Sequence, residues 1–455
     1  MFDTAERRDL AHHSGFTAEV PSTHRLPAAV ALWLFALGTV AVSALALISA
    51  PPPFQFNLPF TAHLAGLLAG YFVTVMVILM ARIPALESGI GADRMARWHG
   101  LLGRSLLCFI VIHGVAATLA WSAGQGIPVP RSILDVLGMP GLIAATVATA
   151  LFFLIGLLSI RAARRRLRYE TWHTIHLLTY LAIALSFSHE LAGPDLAGFP
   201  LIQIVWSCLY TASFALLIRY RVIAPVLLLM RHRLRVERLV DEGQGVVSVI
   251  LRGRHLSELN AEPGQFFRWR FLSKDSWKAA HPFSLSALPT QNYLRLTVKA
   301  VGDGTKIIHS LRPGTWVAAE GPYGAMTERR RTRHGVLLVA GGVGITPMRT
   351  LFESLRMGDA PLTLLYRASR EEDILFRGEL DDIARSRGAQ IIYLIGPSSQ
   401  PRNEITPGNL ERLVPDLRHR DVYLCASPGF SEAVKRALFG AGLPRKNLHQ
   451  EDFAF

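Results

Sequence analysis

Apolar and polar positions divide this chain near residue 231. Before that point, long apolar runs recur at about 28–50, 60–80, 98–121, 140–160, 172–191 and 200–224. Each is close to the ~20 residues that a helix needs to cross ~30 Å of hydrocarbon. Beyond it the runs shorten to strand length. Stretches at 234–240, 246–251, 265–271, 294–300 and 316–320, separated by Gly and Pro, predict a small antiparallel barrel. A continuous apolar run at 335–340 then leads into a Gly-rich turn and a helix reaching Arg356, with further strands at 362–367, 390–395 and 421–425. A buried strand followed by strand–helix alternation is the signature of a parallel, doubly wound sheet. The predicted fold is therefore multi-domain: a six-helix transmembrane bundle, an antiparallel β-barrel and an α/β doubly wound nucleotide-binding domain. The expected limits are a polar tail at 1–26, the bundle at 27–225, the barrel at 232–328 and the α/β domain at 333–455.

Charge gives the bundle a direction. The net charge of +14 suits nucleic acid in principle, but the Arg clusters lie at the ends of apolar runs, where topology accounts for them better than phosphate does. Arg82, Arg94 and Arg97 follow the second run; Arg161, Arg164, Arg165, Arg166 and Arg168 follow the fourth; Arg219, Arg221, Arg231, Arg233 and Arg235 follow the sixth. The opposite connections are poor in base, and 192–199 carries only Asp195. Positive charge inside places both termini in the cytoplasm of an integral protein of the plasma or inner membrane. No cleavable signal peptide is expected, because 1–26 is polar and the first apolar run is too long for a signal core. The three cysteines, Cys108, Cys208 and Cys425, are far apart and indicate neither a disulfide framework nor a zinc site.

The third and fifth runs then point the same way, and each holds two histidines: His99 and His113, His176 and His189. Ionisable groups inside a span are costly and mark function. A single one is ordinarily explained by a bond to a carbonyl, but two matched pairs are not. Neutral imidazole is a common axial ligand of haem iron, so paired helices of this kind suit two b-type haems, one above the other. Spacings of 13–14 residues separate the levels by ~20 Å. His99 and His113 share a helix face to within ~40°, whereas His176 and His189 differ by about 140°. His173 competes for the inner position. Arg104, inside the third run, needs a counter-charge, and a haem propionate or a carbonyl would serve equally.

Downstream, His281-Pro282-Phe283-Ser284, Val301-Gly302-Asp303-Gly304-Thr305 and Glu320-Gly321-Pro322-Tyr323-Gly324 follow in order and suggest a flavin site. Gly341-Gly342-Val343-Gly344-Ile345-Thr346-Pro347 joins strand to helix, a geometry that lets phosphate approach free amides. Together these features resemble the NADPH oxidase and ferric reductase superfamily over residues 28–455. The resemblance implies an NAD(P)H-dependent transmembrane oxidoreductase. Its electrons would pass from NAD(P)H through FAD and two haems to an outside acceptor. His281, Pro282, Phe283 and Ser284 would meet the flavin, with Lys299 at its pyrophosphate and Gly302, Gly304 and Thr305 at a phosphate turn. Gly342, Gly344, Thr346 and Pro347 would hold the nicotinamide nucleotide, with Cys425 near the nicotinamide. A terminal aromatic, Phe453 or alternatively Phe455, would stack on the flavin. Arg367 and Arg370 suit the 2′-phosphate of NADPH, with NADH an alternative.

The resemblance leaves the acceptor open between oxygen, giving superoxide, and a ferric chelate. Animal-type oxidases have a further histidine where this chain has Ala117, which counts against a specialised oxygen pocket of that type. His63 and Glu190 are candidates for polarity near the outer haem, and read equally as solvated interfacial residues. A third reading, a haem subunit feeding a partner protein, is disfavoured because the reductase domains are self-contained. The expected partners are the bilayer and a small-molecule acceptor, with no nucleic acid and no obligatory protein partner.

Overall fold

A computed structural model describes residues 27–50, 54–139, 141–164, 166–167, 169–192, 198–277 and 279–450. The tail at 1–26, Arg165, Arg168, Asp195, Phe453 and Phe455 lie outside them. The described residues form two compact units, one reaching Val222 and the other beginning at Ile223.

The first unit is helical. Its elements are α1 Ala28–Ile48, α2 Leu58–Met80, α3 Pro84–Ile90, α4 Ala92–Gln125, α5 Val129–Leu137, α6 Leu142–Ser159, α7 Tyr169–Ala192 and α8 Pro200–Ile218. Among the described residues, five helices are long and apolar enough to cross a membrane: Ala28–Ile48, Leu58–Met80, Arg94–Gln125, Leu142–Ser159 and Pro200–His232. The remaining long helix, α7, has 24 residues, but its histidines with Glu170 and Glu190 dilute its apolar character. Helix starts follow local chemistry. The Asn57 side chain caps α2 by accepting from the Phe60 amide at 3.1 Å, satisfying one of the amides a helix start leaves unpaired. Gly126 ends α4 in a left-handed conformation, φ 64°, as C-terminal glycines commonly do.

Helix α2 is the hub: it packs against α1, α4 and α8, and α7 packs against α6. Phe72 of α2 meets Phe109 of α4 edge-on, ring centres 5.3 Å apart. Helices α4 and α7 have no extensive backbone packing on each other. The connection at 122–139, read from sequence as a plain loop, contains α5, and buried Ser132 ties it to α4 by donating to the Thr118 carbonyl at 2.9 Å.

A π-helical turn, Arg219–Ile223, spans the boundary between the units, and the second unit opens with α9 Ala224–His232, which packs on β6. Its first lobe has two three-stranded antiparallel sheets. One is ordered β1 Arg235–Gly243, β2 Val246–Arg252, β5 Tyr293–Lys299; the other is β4 His281–Ser284, β3 Phe266–Phe271, β6 Val317–Tyr323. Isolated bridges Arg235–Trp316 and Leu285–Leu296 link them. Strand β3 shows the period-2 logic: Phe267, Trp269 and Phe271 are fully buried, while Arg268 and Arg270 alternate outward. Each buried aromatic contributes about 1.5–3 kcal/mol by leaving water.

The second lobe is a five-stranded parallel sheet ordered β11–β10–β7–β8–β9. Its strands are β7 Gly335–Gly341, β8 Leu362–Ala368, β9 Gln390–Ile395, β10 Arg420–Cys425 and β11 Leu448–Gln450. Strand order reverses beside β7, so the carboxyl ends of β7 and β10 flank the switch point where such sheets bind ligands. The helix after β7, α10 Ile345–Ser354, stops two residues short of the expected Arg356. The sequence reading also passed over β4 as a strand, the three-residue β11 and a short helix at Asp303–Ile308.

Candidate functional site

In the helical unit, the His99 and His176 rings meet edge-on with centres 6.0 Å apart. The His113 and His189 ring centres lie 6.1 Å apart. Two imidazoles bound through nitrogen to one metal at about 2.0–2.1 Å each leave ring centres on the order of 6 Å apart. The rings bridge a gap that the backbones of α4 and α7 do not close. Helix α7 is α-helical throughout, so no π-turn corrects the mismatch between His176 and His189; side-chain direction takes it up.

Neighbouring residues fix these rings. His113 Nδ1 lies 2.8 Å from the Ala62 carbonyl oxygen. That nitrogen is therefore the protonated donor, and Nε2 keeps the lone pair. A Cβ at Gly66, one turn on, would come within 2.8 Å of His113 Nδ1, so only glycine lets the ring seat there. His176 Nδ1 is buried without a hydrogen bond. The Trp172 indole stacks on the His176 ring at 5.1 Å, and the Arg164 guanidinium lies 4.4 Å from the centre of that indole.

Glu190 is interior rather than solvated. Its carboxylate accepts from Trp206 Nε1 at 2.9 Å, Tyr210 OH at 3.1 Å and Ser186 Oγ at 3.3 Å. A Cβ at Gly70 would strike Trp206, Glu190 and Tyr210. Ala62, Gly66 and Gly70, spaced by four on one face of α2, thus make room for the outer pair and its neighbours. His63 is buried and bonded to Ser49 at 2.6 Å. Arg104 is exposed on α4. Of this set, the sequence reading named His63, Glu190 and Arg104 but missed the glycine stripe, Trp206 and Tyr210, whose approach depends on tertiary packing.

In the reductase unit, His281 and Phe283 stack with ring centres 6.0 Å apart. A Cβ at Gly304 would lie 2.8 Å from His281 Cε1, so the His281 strand and the Gly302–Thr305 turn meet. Thr305 Oγ1 accepts from the amides of Val301 and Gly302, each at 3.0 Å, and shapes that turn. Ser284 is buried with its hydroxyl unsatisfied, a vacancy in hydrogen bonding that a flavin ring edge fits. Pro282 pairs with Arg268 across the sheet, and Lys299 is exposed at the end of β5.

At the switch point, Gly342 adopts φ 55°, a left-handed conformation that glycine takes without strain. Gly344 packs against the backbone after β10: a Cβ there would sit 2.1 Å from the Cys425 carbonyl oxygen. Buried Cys425 lies in register with Ala340. Thr346 Oγ1 donates to the Val343 carbonyl at 3.0 Å, and Pro347 is buried in the same first turn of α10. Tyr366 OH donates to the Gly342 carbonyl at 3.3 Å. Burial pushes that hydroxyl above its ordinary range, keeping it protonated as a donor.

Arg367 and Arg370 part company. The Arg367 guanidinium donates to the carbonyls of Ala368, Leu394 and Gly396 and to Ser398 Oγ, so it braces its own loop. Arg370 is exposed, facing Glu372 at 3.5 Å.

Comparison with known proteins agrees with this division. The family described as ferric reductase like transmembrane component matches residues 65–187; that described as oxidoreductase NAD-binding domain matches 338–436. Ferredoxin–NADP reductase B of Sorangium cellulosum is 33% identical over 166 residues, 33% of this chain and 68% of that one. The glycine betaine monooxygenase reductase subunit of Chromohalobacter salexigens is 26% identical, covering 49% of this chain and 64% of its own. NADH-cytochrome b5 reductase 1 of Candida glabrata is 31% identical over 36% of this chain and 64% of its own. The chain thus spans slightly under two thirds of the latter two. Among solved structures, the FAD/NAD binding domain of nitric oxide dioxygenase from Vibrio cholerae is similar at 22% identity and TM-score 0.42, covering 48% of this chain and 98% of that one. The cytochrome b5 reductase domain of Ulva prolifera nitrate reductase gives 20% and 0.41, over 49% of this chain and 98% of that one. The chain belongs to the ferredoxin–NADP reductase family of oxidoreductases, in the single-chain arrangement of NADPH oxidases and ferric reductases, with a ferric-reductase-like transmembrane component ahead of its NAD-binding domain.

Proposed function

We propose that this protein carries electrons from cytoplasmic NAD(P)H through FAD and two b-type haems, across six spans with both termini inside, to an acceptor outside. The observation that carries the reading is the two pairs of closely set imidazoles, with ring centres 6.0 and 6.1 Å apart, on α4 and α7, in a chain that also holds a nucleotide-binding lobe. When bound, FAD supplies the exchange between a two-electron hydride and single electrons, and the haems supply conducting centres. The protein's own groups do the rest. His99 with His176 and His113 with His189 hold iron, and the Ala62 carbonyl fixes the tautomer of His113. His281, Phe283 and Ser284 line the flavin, with Lys299 and the Gly302–Thr305 turn toward its phosphates. Gly342 and Gly344 let the nicotinamide nucleotide approach the backbone, and Cys425 borders it across the switch point. A terminal aromatic, Phe453 or Phe455, covers the flavin face until nicotinamide arrives.

Oxygen, giving superoxide, is the acceptor we place first, and a ferric chelate is the second reading, kept open because Ala117 supplies no further imidazole for a specialised oxygen pocket. NADPH oxidation measured anaerobically with and without ferric chelate, and cytochrome c reduction in air with and without superoxide dismutase, separates them. Cytochrome c reduction that dismutase leaves untouched would end the oxidase reading. Purified protein lacking b-type Soret absorbance would end the haem reading altogether.

Cofactor preference rests on Arg370, since Arg367 is committed to carbonyls. Arg370→Ala is expected to raise KM for NADPH about tenfold, the loss of one charge-assisted contact of ~1.5 kcal/mol, with NADH nearly unaffected. Equal effects on both nucleotides in steady-state assays would remove Arg370 from 2′-phosphate recognition.

A further inference from the structure

Glu379 lies on a helix, Arg377–Arg387, that carries none of the motifs above. Its carboxylate nevertheless joins both lobes of the reductase unit. Arg295 of β5 grips it with a two-pronged contact, Nη1 to Oε1 at 2.8 Å and Nη2 to Oε2 at 2.9 Å. From the other side, Arg349 Nε donates to Oε2 at 2.7 Å, and Arg349 Nη1 reaches Glu353 at 2.9 Å. Arg295 Nη2 also donates to the Ser286 carbonyl at 2.7 Å. Its guanidinium stands 4.5 Å from the centre of the Phe376 ring. Two arginines and two glutamates balance in charge, and the Arg349 side chain is only 3% exposed.

The attachments fall at informative places. Ser286 is two residues past Ser284 of the flavin strand, and Arg349 is two residues past Pro347 of the nucleotide loop. Strand β5, which carries Arg295, also runs against the Gly342–Gly344 turn. Buried ion pairs contribute little net stability against apolar packing. A bidentate fork contributes direction and distance instead. We propose that Glu379 is a positioning residue: through Arg295 and Arg349 it holds α10 in fixed register against the flavin strands, and so sets how nicotinamide meets the flavin. This rests on the reading of FAD and NAD(P)H given above. The Glu379 carboxyl suits the role. Burial would raise it, but the hydrogen bond and charge of Arg295, with those of Arg349, outweigh burial and hold it at about 2. The pair therefore stays ionised at any working pH.

The test is anaerobic flavin bleaching after rapid mixing of full-length protein with NADPH. Glu379→Gln keeps shape and removes charge. It is expected to slow bleaching at saturating NADPH by about 10–100-fold, the usual effect of a misplacement near 1 Å. FAD content should be unchanged and the apparent Kd for NADPH should move less than about threefold. Arg295→Lys, which keeps charge but loses the fork, should slow bleaching less. The double variant Arg295→Gln/Glu379→Gln should be no slower than the slower single, because one contact is lost once. Wild-type rates in Glu379→Gln, or effects that multiply in the double variant, would overturn the proposal. So would loss of FAD from both Glu379→Gln and Arg295→Lys, which would mark a role in folding alone. If the unaltered protein were bleached by neither NADPH nor NADH, the functional reading itself would fail instead.

Discussion

Alanine at His113 or at His189 is expected to strip the outer haem and leave flavin reduction intact. The two ring centres lie 6.1 Å apart, so a haem held between them would lose one of its two imidazoles with either change. About half the Soret absorbance should go with either change if each pair holds one haem. Losing both histidines together should cost no more than losing one, since the pair acts as a unit. Reduction of oxygen or ferric chelate should fall to background, because on the proposed reading the remaining haem would lie ~20 Å of helix rise further in. NADPH should still bleach the flavin at the normal rate. His99→Ala or His176→Ala should differ in kind: electrons then stop at the flavin, and a haem at the outer level stays oxidised. Haem-to-protein ratios and anaerobic spectra decide the matter. Full haem content in both His113→Ala and His189→Ala would show that the paired rings hold no iron.

Much of this arrangement is written in local pattern. The 14-residue spacing of His99 and His113 puts both on one helix face, and the alternation in β3 announces a sheet with one buried side. The Gly-rich turn after β7 is legible because a strand ending in glycines must make a tight approach to a helix. Other features exist only once the helices pack. The 13 residues between His176 and His189 predict opposite faces, yet both rings reach partners, since side-chain reach is invisible in a helical wheel. Glu190 reads as an interfacial acid until Trp206 and Tyr210 arrive from α8 with donors. Gly66 and Gly70 look like ordinary small residues of a span until the His113 ring and Trp206 occupy the room they leave. Arg367 suits phosphate in sequence because it stands with Arg370 at the end of a strand; in the fold its guanidinium donates to carbonyls of its own and the neighbouring strand end. Arg295, Glu379 and Arg349 are separated by tens of residues, and charge at such spacing carries no signal in one sequence.

The nucleotide loop offers the sharpest contrast between two glycines that look alike in sequence. Gly344→Ala is expected to abolish NADPH-driven flavin reduction, by at least about 100-fold, while Gly342→Ala keeps most of it. Gly344 has an ordinary helical backbone, φ −61°, so conformation does not forbid alanine. Space does. The new Cβ would lie 2.1 Å from the Cys425 carbonyl oxygen and 2.6 Å from its carbon. These are backbone atoms of a strand paired along its length with β7, and they cannot swing aside as a side-chain end would. Relief requires the β7 turn to part from β10, opening the switch point where we place the nucleotide, at the 1–3 kcal/mol or more typical of overpacking. Gly342 is the reverse case. Nothing lies within 4 Å of its added Cβ, and only its φ of 55° resists alanine, at about 1–2 kcal/mol. Its variant should fold, bind FAD and show mainly a raised KM where the backbone meets phosphate. Stopped-flow bleaching by NADPH reads the difference, and dithionite, which reduces flavin without the nucleotide, serves as control. Gly344→Ala should retain dithionite reduction while losing reduction by NADPH. Bleaching of Gly344→Ala by NADPH at the wild-type rate would mean that the turn and β10 are not in the contact described, and Cys425 would then lose its place beside the nicotinamide.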